Sequence, residues 1–167
     1  MGAKVLHPRC IPPLREHAIP LEIRCTTHPE LAHTRVAHTA AVDGAQVKSV
    51  TARSGITLIS MDTHGMWQQV GFLAKVFACF QAHDLSVDLV STSEMNVTAS
   101  LDTASNGINN ARIEALLSDL SAYCNAKAIG PCAAVSLVGR KIRALFHTLG
   151  PAFKLFEEQR IHLVSQA

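Results

Sequence analysis

The feature that most limits what this chain can fold into is a hydrophobic period that keeps switching between two and about 3.6 residues from Val47 onward. Val47 to Ala52 and Ile56 to Met61 read as strands separated by Ser54-Gly55. Phe72 to His83 reads as a helix, because Phe72, Leu73, Val76, Phe77 and Phe80 fall on one side of it. Val87 to Ser91 and Val97 to Leu101 are strands, Ile108 to Tyr123 a helix, and Ala133 to Val138 another strand; a helix from Leu149 to Gln159 and a strand from Ile161 to Ser165 close the chain. A chain ordered in this way needs a mixed α+β architecture, with helices layered on a sheet. The pattern also repeats. A shift of 76 residues lays Ile59-Ser60-Met61 on Val135-Ser136-Leu137, Leu73 on Leu149, Phe77 on Phe153 and Phe80 on Phe156 without a gap. A duplicated β-α-β-β-α-β unit accounts for that better than chance does.

The residues ahead of this pattern read differently. Pro8, Pro12 and Pro13 bracket a short helix through about His17, and Ile19 to Cys25 alternates as a half-buried strand does. One helix and one strand cannot enclose a core, so residues 1–35 read as the end of something larger. The stretch from Thr34 to Gln46, with Ala40, Ala41, Asp43 and Gly44, reads as a linker.

Composition excludes several classes. With 48% hydrophobic and 17% charged residues, the 167-residue chain is too apolar to be disordered. Its net charge of +2 comes from singly scattered basic residues, which leaves no footprint for nucleic acid or an anionic membrane. There is no apolar run near the ~18 residues of a membrane span and no signal peptide, so a cytoplasmic location is expected. Five cysteines without a Cys-x-x-Cys pair argue for reduced, mostly core thiols rather than a disulfide framework or a zinc ribbon. His28, His33 and His38 recur every five residues, a period that neither helix nor strand brings to one face, so a loop is expected and no metal site.

Two stretches carry a more specific likeness. Gly2-Ala3-Lys4-Val5-Leu6-His7-Pro8-Arg9 resembles the motif near the end of the aspartate kinase catalytic domain. Gly71-Phe72-Leu73-Ala74-Lys75-Val76-Phe77, followed by Ser86-Val87-Asp88-Leu89-Val90-Ser91-Thr92-Ser93-Glu94, resembles the regulatory ACT domain of the same family, closest to its lysine-inhibited branch. The resemblance implies a ferredoxin-like βαββαβ fold used twice, with the first ACT unit inserted into the second. Residues 1–35 would then be the tail of the catalytic domain and 36–46 a linker. The first ACT unit would occupy 54–133, and an incomplete second one 47–53 with 134–167. The Lys-Phe-Gly-Gly-Thr-Ser word that opens an aspartate kinase is absent. No catalytic residue or cofactor is therefore expected in this chain, while ATP and magnesium would belong to the parent kinase, of a family in which some members are fused to a second enzyme of the pathway.

The chemistry of an effector site follows from residue types. A free amino acid needs donors for its carboxylate, an anion for its ammonium and a discriminating group for its side chain. The backbone N–H groups of Gly71, Phe72 and Leu73, at a helix N-terminus, suit a carboxylate, and Gly71 permits close approach. Asp88, in the apolar run Val87-Asp88-Leu89-Val90, would be costly to bury unpaired, and a lysine ε-ammonium would pair it. From the residues alone the solvated face of its strand is the better reading for Asp88, a turn residue for Ser86, and a strand end for Ser93 and Glu94. The resemblance assigns Met66, Gly71, Phe72, Leu73, Ser86, Val87, Asp88, Ser93 and Glu94 to lysine binding, and sets Lys4 and His7 beside the kinase nucleotide site. It implies L-lysine as the effector, a homodimer formed through the ACT units, and the rest of the kinase as partner. An ACT-type oligomerisation module with a vestigial site is the alternative.

Overall fold

The computed structural model describes residues 5–37, 44–63 and 70–162. They form two compact units, one from the described residues of 1–51 with 137–146 and the other from those of 52–136 with 147–162. The first holds helix α1 (Ile11–Glu16), which carries Pro12 and Pro13 in its opening turn, where a missing N–H costs nothing. It also holds strands β1 (Leu21–Ile23) and β2 (Thr34–Val36), paired antiparallel with Glu22 opposite Arg35. The expected linker thus begins with a strand, and the strand expected over Ile19 to Cys25 shrinks to three residues. A hairpin this short is fixed by its partner rather than by its own pattern.

A four-stranded sheet runs in the order β4-β5-β3-β6, with β3 (Gln46–Asp62), β4 (Leu89–Thr92), β5 (Asn96–Asp102) and β6 (Asn125–Arg140). Helices α2 (Phe72–Ala82) and α4 (Asn110–Leu120) connect the strands, and a short α3 (Thr103–Asn106) follows β5. This is the βαββαβ order with the last strand beside the first, the ferredoxin-like arrangement. β5 is antiparallel to both neighbours, with Ile59 opposite Ala99 and Val90 also opposite Ala99 from the other side.

The expected break at Ser54-Gly55 is absent, and β3 runs through it as one strand of 17 residues. Gly55 adopts φ +75°, the left-handed conformation that glycine tolerates, and its carbonyl accepts a hydrogen bond from the Thr103 hydroxyl. The turn signal is thus absorbed as an irregularity within the strand. β6 likewise extends well beyond Ala133 to Val138. At its far end a Cβ on Gly139 would collide with the Gln46 carbonyl, so only glycine lets β6 approach β3 there.

The core lies between one sheet face and the two helices. Ile59, Met61, Val97 and Leu101 from the strands meet Val76 and Phe80 from α2 and Leu116 and Leu120 from α4. Both helices bury residues at helical spacing, Phe72, Val76, Cys79 and Phe80 on α2 and Ile113, Leu116 and Leu120 on α4. α2 ends in a Schellman motif. Asp84 takes φ +52°, its N–H reaches the Gln81 carbonyl, and the N–H of buried Leu85 reaches that of Phe80. α4 starts at Asn109, whose side chain accepts from the Arg112 N–H at 2.9 Å.

Downstream of β6 the expected helix from Leu149 to Gln159 contracts to α5 (Gly150–Lys154), preceded by a 3-10 segment over Ile142–Thr148. Ile161 and His162 are not in a strand, and the remainder of the expected Ile161 to Ser165 strand lies outside the described residues.

Candidate functional site

The expected effector residues divide between the two ends of β4. At one end the chain turns from β4 into β5 through Ser93, Glu94 and Met95. The Ser93 hydroxyl accepts from the Asn96 N–H at 3.1 Å, and the Ser93 N–H donates to the Asn96 carbonyl at 2.8 Å. The serine side chain is thereby engaged in its own turn, while Glu94 is exposed. β3 leaves the sheet at this same end, where the Thr63 N–H donates to the Met95 carbonyl, and α2 is the next described helix. Gly71 caps that helix with φ +84° and no side-chain hydrogen bond. A Cβ there would meet nothing within 4 Å, so the glycine serves the backbone conformation rather than a crowded approach. Phe72 is buried in the core, whereas Leu73 is 42% exposed. The first N–H groups of an α-helix have no partner within the helix, so this end offers donors. Met66, expected to touch the ligand, lies outside the described residues, as does Lys4.

At the opposite end stand Ser86, Val87 and Asp88, with α2 spanning the distance in between. Asp88 precedes β4 rather than lying within it. Its side chain is 41% exposed, and Oδ2 is 3.8 Å from Arg53 Nη1. The expectation of a buried carboxylate awaiting a cation is therefore corrected: Asp88 is partly solvated and already has a guanidinium nearby. Arg53 itself bonds more closely to Asp102, at 3.0 Å, and the Asp102 carboxylate also accepts from the Ala104 N–H at 2.9 Å. Asp102 is buried, which makes that contact the stronger anchor.

Two residues that the sequence did not single out organise this end. Asn106 accepts from the Ser86 N–H at 2.6 Å and donates to the Ser86 carbonyl at 3.1 Å, holding the Ser86 backbone from both sides. Arg112 donates to the carbonyls of His83, Asp84 and Asn106 at 2.6 to 3.1 Å, tying the end of α2 to the α3–α4 connection. An asparagine and an arginine in a polar stretch carry no periodic signal, and only the fold reveals their partners. His7, exposed, accepts from the Arg9 N–H at 3.2 Å through Nδ1, a contact within its own turn.

Among the described residues no group of three or more His, Cys, Asp or Glu side chains could hold a metal ion. His28 and His33 lie beside Glu30 and Glu22, at 3.3 and 3.4 Å, and do not converge. No described helix is long and apolar enough to cross a membrane.

No family model matches the chain. Aspartokinase 1, chloroplastic, of Arabidopsis thaliana is 36% identical over 101 residues, which cover 60% of this chain and 18% of that protein. Lysine-sensitive aspartokinase 3 of Escherichia coli is 29% identical over 165 residues, covering 98% of this chain and 36% of that one. The chain therefore spans about a third or less of the length of these relatives. A crystal structure of E. coli aspartokinase III in complex with lysine and aspartate, described as the T-state, superposes with a TM-score of 0.75 at 30% identity, covering 99% of this chain and 37% of that one. An aspartate kinase structure from Clostridium acetobutylicum superposes at 0.82 with 20% identity, covering the whole of this chain and 39% of that one, a likeness of fold.

Proposed function

Because the chain is a homologue of the C-terminal regulatory region of the aspartokinases, we propose that it senses L-lysine for feedback inhibition of aspartate-family amino-acid biosynthesis. The carrying observation is a βαββαβ unit that sets a left-handed glycine at the entry of α2 and Asp88 just ahead of edge strand β4, in a fold also found in a lysine-bound relative. Residues 54–133 form the first ACT unit in this reading, and 47–53 with 134–167 belong to a second. The parent enzyme would phosphorylate L-aspartate with ATP and magnesium in the cytoplasm; this segment supplies regulation and no catalytic group.

The separation of the two half-sites along β4 fits a paired arrangement. β4 is an edge of its sheet among the described residues, and Leu89 and Val90 on it are 42% and 41% exposed. A two-fold pairing of such edges is antiparallel by symmetry, so the Asp88 end of one copy lies beside the Ser93–Glu94 end of the other. Lysine held between two ACT units then finds carboxylate donors and the distal anion in one place. Inhibition follows if lysine binds the inactive arrangement more tightly than the active one.

Calorimetric titration of the chain with lysine, threonine and methionine tests the reading. Lysine should bind at one site per chain, and the two effectors without a distal cation should bind poorly. A dimer that responds to none of the three would favour the alternative, a pairing module with a vestigial site, to which the existing Arg53 contact at Asp88 lends some weight.

A further inference from the structure

The guanidinium of Arg53 stands where the reading above, on which this inference rests, seats a ligand cation. It is held at 3.0 Å by buried Asp102, yet only approached at 3.8 Å by Asp88. The two contacts are unequal, and that asymmetry gives the arrangement a function. A cation anchored elsewhere cannot be expelled by a ligand, but the looser of its two carboxylates can be shared or taken over.

We propose that Arg53 is an internal competitor that tunes the affinity of Asp88 for an alkylammonium ligand. Its positive charge partly neutralises Asp88 and repels an incoming ammonium, so the site answers only to a higher effector concentration than a bare carboxylate would. Both side chains are substantially exposed, 56% for Arg53 and 41% for Asp88, so the competition is modest and sensitive to salt. Asp102 is what keeps Arg53 from closing fully on Asp88. A ligand whose cation is delocalised and planar, such as an arginine side chain, would gain less over Arg53 than the compact ammonium of lysine does, because Arg53 already supplies a guanidinium to that carboxylate.

The experiment is a set of lysine titrations on the whole chain at two salt concentrations, with thermal unfolding as a check of folding. Arg53→Gln should bind lysine about twofold to fivefold more tightly than the parent at low salt. The gain should shrink at high salt and vanish in an Asp88→Asn background, while Arg53→Lys, which keeps the charge, should stay near the parent. Asp102→Asn, which loosens the anchor, should move the other way and weaken lysine binding; it also carries the test if Arg53→Gln does not fold. Parent binding with an unchanged or weaker Arg53→Gln overturns the competitor role and leaves the lysine reading standing. A gain that persists without the Asp88 charge overturns it too. If neither the parent nor Arg53→Gln binds lysine, the lysine reading itself falls and takes the competitor with it.

Discussion

Helix α2 and the stretch 76 residues beyond it share a pattern of apolar residues, but only one of them is a full helix over a sheet. The matched positions explain why. Leu73 and Phe77, which align with Leu149 and Phe153, lie on the flank of α2; Leu73 is 42% exposed and Phe77 only partly buried. The deepest positions of α2 are Phe72, Val76 and Phe80, and their counterparts are Thr148, Ala152 and Phe156. Two of the three have lost the side chain that would dock. A short amphipathic helix is held by what its buried face packs against, and α5 accordingly keeps five residues where α2 has eleven. Similarity along a repeat is thus a weaker guide than similarity at the centre of its buried face.

The largest effect that would test this comparison is at the one deep position both stretches share. Phe80→Ala should destabilise its unit by about 3–5 kcal/mol, because Phe80 is 2% exposed in the core. Phe156→Ala should cost under about 1 kcal/mol, as for a half-buried side chain. Urea unfolding followed by circular dichroism reads both; equal losses would mean that the second stretch is docked as firmly as the first.

The next effect concerns binding. The same shift places Val164, outside the described residues, against Asp88, so the second stretch has no anion at the corresponding position. Asp88→Ala should therefore weaken lysine binding by about 1.5–3 kcal/mol, the range for a hydrogen bond to a charged group, with the fold intact. The exposure of Asp88 keeps that figure below the cost of breaking a fully buried pair. Two lysines per chain, or an unaffected Asp88→Ala, would assign the site elsewhere.

Helix entry gives a smaller contrast. α4 is capped by the Asn109 side chain, whereas α5 begins at Leu149 without a side-chain cap. Asn109→Ala should cost about 1 kcal/mol in the same unfolding measurement. A change of a few tenths would show that Arg112, which also ties this region through the carbonyls of His83 and Asn106, holds the connection by itself.

The sequence made the first βαββαβ unit legible where the hydrophobic period is long and undivided, as in α2, β5 and α4. It misled where a local signal was overruled by pairing: Ser54-Gly55 looks like a break until the Thr103 hydroxyl bonds the Gly55 carbonyl and β5 pairs with β3 from Ile56 onward, and Thr34 to Val36 looks like linker until β1 lies beside it. Of the candidate site, the helix entry at Gly71 was readable because a glycine before an apolar helix has a specific backbone use. Asp88 was readable as an unusual charge but not as a partner of Arg53, 35 positions away in sequence, because nothing in either local pattern connects them.

The smallest expected effect compares two thiols, Cys25 in the first unit and Cys79 under α2. The Thr27 hydroxyl, followed by the backbone N–H groups of His28 and Thr27, lowers the Cys25 thiol from its ordinary value of 9.0, whereas burial, helped by the charge of Asp119, raises Cys79 above it. Cys25 is also exposed and Cys79 buried. The thiolate is the species that alkylates, so iodoacetamide at neutral pH should label Cys25 well before Cys79, as read by peptide mass spectrometry. The stability consequence has a definite sign. A group whose folded value is raised contributes stability that is fully present below its unfolded value of about 9 and is lost as pH rises through the folded value. The unfolding midpoint of the chain should therefore fall slightly as pH climbs beyond that point, and Cys79→Val should flatten the decline. Burial raises Cys124 in the same direction, so part of the slope should survive that substitution. A decline untouched by Cys79→Val, together with early labelling of Cys79, would mean that α2 opens as readily as the region around Cys25 and is not firmly docked on its sheet.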